Sequence, residues 1–204
     1  MGESGISEGT MKYDITYLED ESENPIISLM PSQLDMSFKN SSVIMEVEGW
    51  MGIFKSTFIK NEQNSEAITL LKMMNKKYCY RSVGSQGFLG FSAYNNAKIV
   101  FDDETKEILD FLCKHAKVTV SDKNLLFDIY YTDEIKIDKP NEFTPFEEVP
   151  GVLMEFQIEI NGIPMYLIAS EVIETDIPDN IFQVPNGFED VKREELDKIF
   201  SSII

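Results

Sequence analysis

Along most of the chain, apolar and polar residues alternate with a period of two. From Gly9, the run GTMKYDITYL places Met11, Tyr13, Ile15 and Tyr17 on one side and Lys12, Asp14 and Thr16 on the other, the pattern of a half-buried strand. LDMSFKN (34–40) and SVIMEVEG (42–49) repeat it across Asn40-Ser41, a tight hairpin signal. GIFKSTFIK (52–60), AITLLKMM (67–74) and KKYCYRSV (76–83) follow, separated by the polar NEQNSE and by Asn75. The second half has the same style. KIVFDDETKEI (98–108), LDFLCKHAKVTVS (109–121) and LLFDIYYTDEIKI (125–137) read as extended, and VLMEFQIEI (152–160) and IPMYLIASEVIE (163–174) flank Asn161-Gly162. Asn-Gly between alternating runs is the strongest short hairpin signal.

Three segments break the alternation. NPIISLMPS predicts a short helical turn with Pro25 near its start and Pro31 ending it. KPNEFTPFEEVPG (139–151) carries three prolines and reads as a loop. The end, DVKREELDKIFSSII (190–204), switches to helical spacing through Val191, Leu196, Ile199, Phe200 and Ile203. Before it, Ile181 and Phe182 precede Val184-Pro185-Asn186-Gly187-Phe188. Here the two phenylalanines are expected to pin the chain to a sheet. Pro185 fixes the backbone and Gly187 allows a positive-φ turn into the helix.

The pattern predicts a mainly β (α+β) fold of about ten antiparallel strands with a C-terminal helix and one or two short helices. Without a βαβ rhythm, no parallel sheet is expected. So many strands on short turns suggest a curved sheet or half-open barrel, with a concave trough that helices or a ligand fill. Residues 1–9 read as a flexible lead-in and residues 10–204 as a single domain.

Composition narrows the function. The 204 residues carry 36 acidic and 18 basic side chains, a net charge of −18. Such a chain repels phosphate backbones. Its nearest approach to a basic stripe, Lys72, Lys76, Lys77 and Arg81, is interrupted by Met and Tyr, so nucleic acid is not expected as a partner. The charge also argues against docking on an anionic membrane, and no run approaches the ~20 apolar residues of a membrane helix. No signal peptide is visible in the polar start MGESGISEGT.

Candidate chemistry is sparse. His115, the single histidine, lies in a strand run beside Lys114 and Lys117 and reads as structural or surface. GSQGFLGF lacks the lysine of a phosphate loop, and DDET (102–105) lacks the twelve-residue calcium pattern. Acidic pairs such as Asp102-Asp103 read as solvated faces. Cys79 and Cys113 lack metal-site spacing and read either as buried thiols or as one disulfide. We expect no enzyme, metal or cofactor.

Methionine and aromatic residues crowd the first half. They fill ordinary cores and also line adaptable cavities for apolar ligands. The apolar alternates expected to line the trough are Met36, Phe38, Met45, Trp50, Phe54, Phe58, Leu71, Met73, Tyr78 and Tyr80, an assignment that a one-residue slip of register would reverse.

Particular phrases resemble known families. The run from MPSQLDMSFKN to LLKMMNKKY looks like the first half of exported proteins of Gram-negative bacteria. Tyr131-Thr132-Asp133-Glu134-Ile135, followed by Pro150-Gly151-Val152-Leu153-Met154, is similar to the GLPGLI family. IFQVPNGFEDV is similar to the closing element of the same superfamily. Together these cover most of residues 10–200. The resemblance implies a LolA-like half-barrel and export to the periplasm or outer membrane, often as a lipoprotein whose precursor carries a lipid anchor. It brings no catalytic residue. The expected function is non-catalytic binding of a lipid, acyl chain or other hydrophobic ligand in the trough. The alternative is an envelope scaffold with a helix-filled trough, its acidic surface selecting a basic protein partner.

Overall fold

The computed structural model describes residues 5–61, 66–83, 94, 96–160 and 162–201. The strands are β1 (Glu8–Tyr17), β2 (Gln33–Lys39), β3 (Ser42–Gly49), β4 (Phe54–Lys60), β5 (Glu66–Met73), β6 (Lys76–Val83), β7 (Ala97–Ile108), β8 (Phe111–Val120), β9 (Leu125–Thr132), β10 (Val152–Ile160), β11 (Ile163–Glu174) and β12 (Glu189–Asp190), followed by helix α1 (Arg193–Ser201). They form one curved, unclosed sheet in the order β12-β6-β5-β4-β3-β2-β1-β11-β10-β9-β8-β7. Thus the first strand lies in the middle. One meander, β2 to β6, runs outward on one side, and the other, β7 to β11, returns to it on the opposite side.

The expected mainly β class and antiparallel pairing hold, with an exception at one edge. Glu189 and Asp190, the second of which was expected to open the helix, pair parallel with Tyr78 and Cys79 of β6 as β12. The helix therefore starts at Arg193. Pairing also begins earlier than expected at the N-terminus. Ile6 bridges Ile135, its amide donating to the Glu134 carbonyl, so the chain is engaged within the segment read as a lead-in.

Asn40 takes the positive φ of the β2–β3 hairpin, as its residue type favours. The turn between β7 and β8 falls at Leu109-Asp110, the first two residues of the run read as extended over 109–121, and both sit in the left-handed region at φ 51° and 65°. Neither is the Asn-Gly such a turn prefers, so no local signal marked it. The predicted short helical turn appears at Pro25–Leu29 with Ile27 buried. The 84–91 glycine run and Asn161 lie outside the described residues.

The two faces are sealed differently. On the inner face, side chains from both halves merge into one core. Met11, Met36 and Phe38 join Val118, Ile129, Leu167 and Phe156, and this meeting of distant strands is what the curvature achieves. On the outer face, the segment after β11 lies over β3 to β6, burying Ile177 and Phe182 against Ile59, Ile68, Leu70 and Cys79, with Phe188 packed alongside. Gly187 takes φ 89°. The chain then rounds the β6 edge as β12 and delivers α1 to the inner face, where Leu196 and Phe200 meet Phe54, Leu71 and Tyr80. The expected pinning role of Phe182 and Phe188 is met on the outer face.

Candidate functional site

Register places the expected trough residues. Met36 pairs with Met45 and Met45 with Phe58. Phe38 lies two residues along β2 from Met36, on the same side. Phe54 pairs with Met73, Leu71 with Tyr78, and Thr69, opposite Phe58, with Tyr80. Paired residues share a face, so these nine all point inward. The side chain of Trp50 lies outside the described residues. The nine do not line one continuous groove. Phe54, Leu71, Met73, Tyr78 and Tyr80 lie under α1. Phe58 and Met45 contact Phe143. Met36 and Phe38 belong to the central core.

The central cover is the loop 138–151, read from sequence only as a proline-rich connection. Phe146 is fully buried and stacks edge-on to Phe127 and Phe156. Two polar side chains hold the loop down. Lys60 is 5% exposed, on the inner face of β4. Its ammonium donates to the carbonyls of Asp138 (2.8 Å) and Lys139 (2.7 Å) and pairs with Glu142 at 3.2 Å. Asn141 is also buried, and its amide donates to the Val149 and Gly151 carbonyls, both at 2.8 Å, tying the ends of the loop together. A buried polar group without such partners would cost about 1–3 kcal/mol, so both residues fix one loop path. Sequence reading missed Lys60, Asn141, Phe143 and Phe146. The only signal was two aromatic residues within a nominally polar loop.

Between the loop and the sheet remains a cavity of about 50 Å³. Tyr13, Met36, Met45, Phe146, Phe156 and Leu167 contribute to its lining. Since one water needs roughly 10–15 Å³ on this measure, the space is a packing gap of a few water volumes, far below an acyl-chain site.

A titratable cluster lies on β7, β8 and β9. His115, expected as a structural or surface residue, is 1% exposed. Its Nδ1 lies 2.8 and 2.9 Å from the two Asp102 oxygens, and its Nε2 lies 3.0 Å from Asp128 Oδ1. Burial lowers the affinity of the imidazole for a proton, but Asp102 and Asp128 outweigh it, and the net shift is upward. The Tyr130 ring packs 4.9 Å from the imidazole, and its hydroxyl donates to Glu104 at 2.9 Å. The β7–β8 register slips between Phe101 and Thr105, and this bulge turns Asp102 and Glu104 toward His115.

Cys79 and Cys113 are both free and buried, which settles the alternatives in favour of thiols. Desolvation pushes each up to about 11, which removes the thiolate needed for nucleophilic work. Among the described residues no helix is long and apolar enough to cross a membrane.

No protein-family model and no curated protein matches the chain. Nine solved chains match in fold, among them two crystal forms of PNGF-II. PNGF-II in a P21 crystal form superposes with a TM-score of 0.60 at 11% identity over 97% of this chain. PNGF-II in a C2 form gives 0.52 at 12% identity over 96%. This chain spans only about a third of their length, 34% and 32%.

Proposed function

We propose that the chain is a non-catalytic, LolA-like half-barrel module of the cell envelope, exported to the periplasm or outer membrane, that works by protein interaction with its trough self-filled. The observation that carries this reading is the double cover of the inner face. Phe143 and Phe146 from the loop and Leu196 and Phe200 from α1 occupy the volume a ligand would take. The cavity left under the loop is about 50 Å³. A net charge of −18 then favours a basic partner surface through long-range attraction.

The test is native mass spectrometry of protein made through its own export route, then solvent extraction and incubation with an apolar fluorescent probe. A clean apo mass and no probe uptake support the interaction reading, and a salt-sensitive basic partner in a pull-down completes it. A released lipid of matching mass overturns it in favour of a second reading, a carrier whose 138–151 loop lifts to admit an acyl chain. One feature favours that second reading: Lys139 and Phe143, flanking the loop's anchor, hold left-handed backbone at φ 47° and 68°, a strain that lifting would release.

A further inference from the structure

We propose that Asp102, Glu104 and His115 form a binding site for one divalent first-row cation, with Zn²⁺ the best match. Read along the chain, residues 102, 104 and 115 carry no ligand spacing. The β7–β8 hairpin and its bulge bring them together, so that a ligand atom from each lies within 4.8 Å of the others. His115 Nδ1 faces both oxygens of Asp102 and stands 4.0 Å from Glu104 Oε2. Zinc bonds to nitrogen and carboxylate oxygen of about 2.0–2.2 Å span an N···O separation of roughly 3.3 Å in a tetrahedron, so the Asp102 carboxylate needs to withdraw by only about half an ångström.

Three further features suit a metal. The imidazole is already oriented, because Nε2 faces Asp128 at 3.0 Å and the ring packs on Tyr130. A carboxylate on the distal nitrogen is the arrangement that fixes the tautomer and raises the basicity of a ligating histidine. Glu104 is steadied through its other oxygen by the Tyr130 hydroxyl. The nearby cation Lys106 is paired with Glu155 and lies over the Tyr130 ring, 5.0 Å from its centroid. One nitrogen and two carboxylates leave a position for water and form a mixed donor set that suits zinc, with manganese weaker. Calcium asks for six to eight oxygens and is disfavoured.

The experiment is calorimetric titration of ZnCl₂ into the chelator-treated full chain, repeated with MnCl₂ and CaCl₂. The expected result is one Zn²⁺ per chain, bound more tightly than Mn²⁺ and not displaced by an equal concentration of Ca²⁺. Asp102→Asn and Glu104→Gln should each weaken it at least tenfold. Asp128→Asn should weaken it by about 10–100-fold, as loss of an outer-sphere partner does. Asp103→Asn, a neighbour in the same bulge outside the cluster, should leave it unchanged. Both exposed-acid variants alter side chains at the surface, so they remain readable even if His115→Gln fails to fold. Absence of a stoichiometric Zn²⁺ event overturns the proposal. Equal weakening by Asp103→Asn and Asp102→Asn also overturns it, because that is the signature of diffuse attraction to an acidic surface.

Discussion

Lys60 shows how one side chain decides the state of the trough. Its ammonium satisfies two carbonyls of the loop and pairs with Glu142, which Lys139 also approaches at 3.8 Å. Lys60→Met keeps the volume of the stem but removes the donors. We expect it to destabilise the fold by about 2–3 kcal/mol in urea unfolding and to raise uptake of an apolar probe as the loop loosens. The buried thiols give a pH dependence. Each thiol titrates near 9.0 when unperturbed and near 11 in the folded protein. The folded state therefore holds the two protons more tightly than the unfolded chain. Their stabilising contribution is complete below pH 9, falls as pH rises, and is gone above about pH 11. Denaturation midpoints measured from pH 8 to 11 should fall in wild type and fall less in a Cys79→Ala, Cys113→Ala double variant. A thiol reagent at pH 8 should modify the native protein slowly and the unfolded protein fast.

Among the elements, the β7–β8 hairpin carries an avoidable cost. Leu109 at φ 51° occupies a conformation that disfavours a side chain with a Cβ by about 1–2 kcal/mol. Replacing Leu109-Asp110 by Asn-Gly should stabilise the protein by about 1 kcal/mol or more and raise its melting temperature in calorimetry. The closing segment works the other way. Phe182→Ala removes the ring that covers Ile59 and Leu70 on the outer face, and about 3–5 kcal/mol of stability should go with it. These elements also show what was legible in the sequence. Period-two alternation put nine described trough residues on their correct face, because pairing preserves parity across a whole sheet. The hairpin at Asn40 and the turn at Gly187 were legible from residue type. The break after Ile108 was read, but the left-handed turn at Leu109-Asp110 was not, since tertiary pairing imposes it against local preference. A helix over the trough was expected, but the share of the 138–151 loop in filling it was hidden. A strand lysine reads as solvated, and only the folded loop supplies the carbonyls that make Lys60 a core residue. His115 and Asp102 are thirteen positions apart, and only a bulge on the neighbouring strand joins them.

At the scale of the whole molecule, two meanders lean on β1. Its ladders to β2 and β11 occupy the middle of the sheet, while β7 runs along one open edge with most of its residues exposed. Amide exchange should be slowest at Met11, Tyr13, Met36 and Leu167 and fastest along β7 from Phe101 to Glu107, because opening is cheapest where few apolar contacts must break.

The central place of β1 also sets the order of events during synthesis. Gly9 pairs with Glu174 and Tyr17 with Met165. A growing chain therefore makes its first strand almost at once but lacks that strand's second neighbour until more than three quarters of the protein has been made. Throughout that interval one side of β1 offers unpaired backbone groups, an edge ready to join any other chain. Closing so long a loop is slow, because contacts distant in sequence are the costly ones to bring together. A ribosome-bound fragment ending before β11 is thus the form of this protein most in need of a chaperone, and the arrival of β11 is the moment that need ends.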